Sequence, residues 1–139
     1  MGRPSKPRIL VVDDDPPVRE MVVRVLAGEG YATLQTANGE EALNLGATAA
    51  FDLVLLDLGL PGRDGWDTLA GLRRLRPELP VVILTAWPDQ ATAARAAGAA
   101  ALFEKPLDFP LLLGAVARLL AGRSAGASDH PGGRTVTNS

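Results

Sequence analysis

Asp13, Asp14, Asp57, Thr85 and Lys105 are residues that can do chemistry, and each falls at the end of a short apolar run. Ile9 to Val12 leads into Asp13-Asp14-Asp15, Leu53 to Leu56 into Asp57, and Val81 to Leu84 into Thr85. Ala101-Leu102-Phe103 leads through Glu104 to Lys105-Pro106. Taken singly, each has an ordinary reading: a solvated acidic turn, a helix cap, a strand-ending threonine, a surface lysine. Gathered at one edge they describe something more specific. Three carboxylates in one crevice repel one another, and a hard divalent cation such as Mg²⁺ offsets that repulsion. A carboxylate can attack phosphorus and form an acyl phosphate. Phosphoryl transfer then asks mainly for alignment and charge neutralisation. A lysine ammonium and a threonine hydroxyl can serve the phosphoryl oxygens.

What must hold these residues together is a parallel sheet. Short apolar runs bounded by turn residues read as buried parallel strands, and chemistry in such sheets collects at the strands' carboxyl ends. Helical periodicity fills the intervals. Val18, Met21, Val22, Val25 and Leu26 repeat at helical spacing after Asp15, the expected N-cap, with Gly30 as the stop. Tyr31 to Gln35 form a second strand, and Asn38 caps a second helix. A third helix is expected from Trp66 to Arg76, an alanine-rich fourth from Asp89 to Ala97, and a fifth from the Asp108 cap to about Ala121. A strand followed by a helix, five times over, makes an α/β doubly wound fold.

The 139 residues suffice for one core, and a net charge of −2 with a pI near 5.3 gives no electrostatic case for nucleic acid or membrane. There is no cysteine, which removes disulfide and thiolate chemistry. No apolar segment of signal-peptide or membrane-spanning type is present, so a cytoplasmic location is expected. Residues 8–121 are expected to form the domain, 1–7 a flexible N-terminus and 122–139 a disordered tail rich in small and polar residues, with His130 inert within it.

The segments Ile9 to Asp15, Asp52 to Pro61, Asp64-Gly65, Leu84-Thr85-Ala86 and Lys105-Pro106 together resemble the receiver domain of bacterial response regulators. The resemblance implies a flavodoxin-like sheet of five parallel strands in the order 2-1-3-4-5 with five helices. It implies that Asp57 is the phosphoacceptor and that Asp13, Asp14, Asp57 and the backbone carbonyl of Gly59 hold Mg²⁺. Thr85 and Lys105 would contact the phosphoryl group, and the Lys105–Pro106 bond would be cis. The phosphoryl donor would be a histidine kinase or phosphotransfer protein. The readout would be an output protein that the sequence does not name, with no direct nucleic-acid contact.

Three positions stand out against the family pattern. The usual aromatic three residues before the lysine is Leu102, and strand alternation puts Phe103 on the opposite face, where it cannot substitute. An altered switch is therefore expected. The places that flank the hydrolytic water in the family are Gly59 and Trp87, which leads us to expect a slowly hydrolysed acyl phosphate. Arg73, Arg74 and Arg76 read as a solvated basic face. Leu111, Leu112 and Leu113 exceed one buried stripe and leave room for a homodimer or partner contact.

The expected function is a phosphorylation-controlled signalling switch, not a turnover enzyme. With so little chain after the last helix, a single-domain regulator or a receiver cut from a larger protein fits. A phosphohydrolase of the haloacid dehalogenase type would want an acid two residues after Asp57, where Gly59 stands. A flavodoxin-type flavin site would find phosphate repelled by Asp13-Asp14-Asp15. A pseudo-receiver that binds partners without phosphorylation is the alternative, kept open by Leu102.

Overall fold

Successive residues of the central runs point into two different cores, and that alternation builds the molecule. The computed structural model describes residues 6–60 and 65–129. The strands are β1 (Arg8–Val12), β2 (Ala32–Thr36), β3 (Leu53–Asp57), β4 (Val81–Thr85) and β5 (Ala101–Glu104). The helices are α1 (Pro16–Gly28), α2 (Gly39–Thr48), α3 (Gly65–Leu75), α4 (Ala91–Ala96) and α5 (Phe109–Asp129). All strand pairs are parallel, in the order β2-β1-β3-β4-β5, the doubly wound arrangement expected. Leu10, Val12, Val54, Leu56, Val81 and Ile83 face α2, α3 and α4, while Ile9, Val11, Leu53, Leu55, Val82 and Leu84 face α1 and α5. A sheet covered on both faces needs apolar residues at every central position, which is why these strands read as unbroken apolar runs.

Asp15 stands at the N-cap of α1 as expected, but its side chain makes no capping hydrogen bond; the other local signals behave as their chemistry dictates. Pro16 and Pro17 occupy the first turn of α1, where a missing N–H is no loss. The Asn38 side chain accepts from Glu41 N–H at 2.8 Å, and Asp108 accepts from Leu111 N–H at 3.1 Å. Gly30 and Gly98 hold φ of +90° and +94° at the turns that follow α1 and α4, a region glycine enters without steric cost.

Gly65 opens α3 where a Cβ would lie 2.3 Å from the Leu58 Cα, with its own N–H on the Leu58 carbonyl at 2.9 Å. Because the clash is with backbone, Gly65→Ala is expected to cost about 2–3 kcal/mol of stability, read as a lowered urea midpoint. An unchanged midpoint would refute this tight packing of the β3–α3 connection.

Several expectations need correction, and the third helix, expected from Trp66 to Arg76, spans Gly65–Leu75. The second strand is shifted by one residue, to Ala32–Thr36. The fourth helix is shorter than Asp89 to Ala97, because Asp89 takes a left-handed φ of 63° and the helix begins only at Ala91. The fifth helix does not stop at Ala121 but runs to Asp129, so 122–129 are helical where a disordered tail was expected. Gly122 reads as a breaker, yet a single glycine costs only about 1 kcal/mol in a helix. Arg123 gives that turn an anchor, bonding the Glu78 carbonyl at 3.0 Å and lying 3.9 Å from the Asp52 carboxylate.

The expected solvated face of Arg73, Arg74 and Arg76 is also revised. Arg76 donates to the Gly46 and Ala49 carbonyls at the end of α2, at 3.4 and 3.3 Å. A cation there meets the negative end of the helix dipole. Arg73 bonds the Pro77 carbonyl at 2.8 Å. Residues 1–5, 61–64 and 130–139 lie outside the described residues, and with them most of the expected flexible N-terminus, Pro61, Asp64 and His130.

Candidate active site at the carboxyl edge of the sheet

Strand order reverses between β1 and β3, and ligands in open α/β sheets bind at that switch point. Strands β1, β3, β4 and β5 deliver the residues at their carboxyl ends there. Ladder bonds continue past the strand ends and fix each delivery. Asp13 N–H donates to the Thr36 carbonyl at 3.1 Å, Leu58 N–H to Leu84 at 3.1 Å, and Lys105 N–H to Thr85 at 2.7 Å. The peptide between Lys105 and Pro106 is cis.

Asp13, Asp14 and Asp57 each place a carboxylate oxygen within 4.8 Å of the others. Asp13 is fully buried, Asp57 is 6% exposed, and Asp14 is open to solvent. The Lys105 ammonium reaches across from β5 to Asp13 Oδ2 at 2.9 Å and to Asp57 Oδ2 at 3.5 Å. Lys105 thus pairs with two of the three clustered carboxylates. Burial pushes the Asp57 carboxyl up from 3.8 to about 6; the Gly59 N–H, 3.1 Å from Oδ1, pulls it down, Asp13 raises it and Lys105 lowers it. Burial also opposes the charge on Lys105, but the hydrogen bond and attraction of Asp13, with Asp57 behind it, hold its pKa above the usual value.

Thr85 is buried, and its Oγ1 accepts the Trp87 N–H at 3.0 Å. The Trp87 ring is 46% exposed and leans toward Gly59, whose missing side chain leaves the space. A Cβ at Gly59 would lie 3.6 Å from Trp87 Cζ2 and 3.8 Å from Asp57 Oδ1. The indole and the Asp57 carboxylate thus border the same space beside Gly59. Leu102 is half-buried against the α2–α3–α4 core and Phe103 packs in the other, the opposed placement that alternation predicts.

Of the residues singled out in the sequence, Asp13, Asp14, Asp57, Gly59, Trp87 and Lys105 meet directly, and Thr85 joins through Trp87. Arg19 was missed. Its guanidinium donates to the Asp13 carbonyl at 2.7 Å and to Gln35 Oε1 at 3.0 Å. A cation this near a helix N-terminus opposes the dipole, a signal that a local acceptor must hold it.

Hard oxygen donors clustered with an excess of negative charge fit a divalent cation of the Mg²⁺ kind. Phosphoryl transfer onto a carboxylate is chemistry that such an arrangement can perform.

Comparison with known proteins agrees with the geometry. The model of the response regulator receiver domain family matches residues 9–117. Sporulation initiation phosphotransferase F of Bacillus subtilis is 36% identical over 119 residues, covering 84% of this chain and 96% of that protein. Response regulator protein PilR of Pseudomonas aeruginosa is 35% identical over 91% of this chain, which spans only 29% of that longer relative. A receiver domain protein from Methanospirillum hungatei superposes with a TM-score of 0.83 at 29% identity, covering 87% of this chain and 98% of that one. The response regulator TrrA of Thermotoga maritima, solved in complex with Mg²⁺ and BeF, gives 0.76 at 34% identity, covering 81% and 98%.

Proposed function

This chain belongs to the response regulator receiver domain family, a phosphorylation-controlled signalling unit, and from that premise we propose that Asp57 is its phosphoacceptor. The observation that carries the assignment is the position of Asp57 at the end of β3, between the buried Asp13 and Lys105. A histidine kinase or phosphotransfer protein is the donor. An Asp57 carboxylate oxygen attacks phosphorus, the bond from phosphorus to the donor's imidazole nitrogen breaks, and the nitrogen keeps the electron pair. The chain catalyses this modification and its reversal on itself and turns over no other substrate.

Asp13, Asp14 and Asp57, with the Gly59 carbonyl, are the residues that would hold Mg²⁺. When bound, the ion supplies positive charge for the incoming phosphoryl oxygens. Lys105 is already beside Asp57 and can pair with a phosphoryl oxygen, a charge-assisted bond. The Thr85 hydroxyl, now held by the Trp87 N–H, is the neutral donor one strand over. The added charge is the signal that another protein reads. That reader carries any contact with nucleic acid, and Leu111, 63% exposed on the first turn of α5, offers it or a second copy apolar surface. Among the described residues no helix is long and apolar enough to cross a membrane, and we place the protein in the cytoplasm.

Trp87 is proposed to slow hydrolysis by occupying the flank where water would approach the acyl phosphate. Trp87→Ala is expected to speed decay of the phosphorylated protein several-fold, followed by loss of label after the donor is removed. Unchanged decay in that variant and in Trp87→Glu would refute the shielding. With Leu102 in place of an aromatic, no ring rotation on β5 is expected on phosphorylation. Labelling from acetyl phosphate with Mg²⁺, dependent on Asp57, tests the whole assignment. A chain that binds Mg²⁺ yet takes no label from acetyl phosphate or a kinase would be a pseudo-receiver.

A further inference from the structure

Asp14 has no hydrogen-bond partner for its carboxylate among the described residues, so something other than its own side chain must aim it at the site. The backbone on both sides does. The peptide joining Asp13 to Asp14 has its carbonyl held by the Arg19 guanidinium at 2.7 Å. The peptide joining Asp14 to Asp15 has its N–H held by Asp13 Oδ1 at 3.0 Å. Asp13 itself is pinned through its N–H to Thr36 at 3.1 Å and through Oδ2 to Lys105. Arg19 is in turn held by Gln35 Oε1 at 3.0 Å on β2, and its own N–H donates to the Asp15 carbonyl at 2.9 Å. Two peptide groups with fixed planes leave the intervening Cα little freedom, which fixes the Cα–Cβ direction from which the exposed carboxylate extends toward the site.

We propose that Arg19 is a positioning residue for divalent-cation binding, acting through the Asp13–Asp14 peptide and resting on the assignment of Mg²⁺ to this site. The proposal opposes the simplest electrostatic expectation. A guanidinium beside an acidic crevice repels a cation, so removing it should tighten binding if charge alone mattered. If Arg19 positions Asp14, removing it loosens binding.

The test is calorimetric titration of the full chain with Mg²⁺ at neutral pH, with no phosphodonor present. Arg19→Ala is expected to weaken Mg²⁺ affinity about 10-fold, the lower end for the loss of a group that orients a metal ligand. Arg19→Lys, which keeps a donor for the carbonyl, recovers part of the loss. Arg24→Ala removes an exposed cation from the same helix and leaves affinity unchanged or slightly tighter. Affinity in Arg19→Ala equal to or tighter than wild type would overturn the proposal, as would a loss that Arg19→Lys does not relieve. Should Arg19→Ala not fold, Gln35→Ala, which frees the other end of the guanidinium, must show a smaller weakening of the same sign; unchanged affinity there overturns the proposal. A wild-type chain that binds no Mg²⁺ would instead remove the metal assignment itself, and this inference with it.

Discussion

Asp57→Asn takes no phosphoryl label and, before Mg²⁺ is added, unfolds at a higher urea concentration than the wild type at neutral pH. The first half follows from the loss of the nucleophile, since an amide oxygen does not form the acyl phosphate. The second follows from the cost of the native charge. Burial raises the Asp57 carboxyl from 3.8 to about 6, so between those values the folded chain binds a proton that the unfolded chain has released. Stability therefore falls as pH rises through that window and levels off above about 6, by about 3 kcal/mol in all. The asparagine variant does not titrate and escapes this loss. The gap between the two proteins should be near zero below the unfolded carboxyl's pKa, open between about pH 4 and 6, and stay constant above. Urea midpoints measured across that range check it, and a gap that fails to open with rising pH would contradict the burial argument. The residue proposed as the phosphoacceptor is thus a burden on the metal-free fold.

Replacing Lys105 by Met has the opposite sign. The ammonium sits 2.9 Å from a fully buried Asp13 and 3.5 Å from Asp57. Removing one partner of a buried pair costs about 3–5 kcal/mol, and the part-exposure of Lys105 lowers the expectation to about 2–3 kcal/mol for the metal-free protein at neutral pH. Because its pKa is raised above 10.5, the lysine's contribution is fully present at neutral pH and is lost only as pH climbs through the folded-state value. In the variant the loss should shrink below about pH 6, where Asp57 takes up a proton, and shrink again when Mg²⁺ is added. The variant should bind Mg²⁺ at least as tightly as the wild type, since a competing cation is gone. Weaker Mg²⁺ binding, or a stability loss indifferent to both pH and Mg²⁺, would show that Lys105 acts by packing and not by charge.

Most of this site could be read from the chain because a parallel sheet makes position a matter of sequence. Val12 precedes Asp13 and Leu56 precedes Asp57, and strands buried on both faces end where apolar character ends. Once the strand ends were known, so was the edge on which Asp13, Asp57, Thr85 and Lys105 meet. What escaped depends on contacts between distant segments. Arg76 closes the end of α2 from 27 and 30 residues away, and Arg123 extends α5 by gripping Glu78 across 45. No periodicity encodes either bond. The shortening of α4 turns on one backbone angle at Asp89, a residue tolerant of the left-handed region whose choice the sequence does not announce. Arg19 is an intermediate case. Its placement in the first turns of α1 hinted at a nearby acceptor, but only the structure identifies that acceptor as the Asp13 carbonyl.

The proposed signalling role rests on the identity of the phosphoacceptor. Intact-mass measurement of the full chain after incubation with acetyl phosphate and Mg²⁺, beside Asp57→Asn treated identically, addresses it directly. We predict that the wild type gains the mass of one phosphoryl group and the variant gains none. A phosphoryl adduct of equal yield on both proteins would contradict the assignment of Asp57.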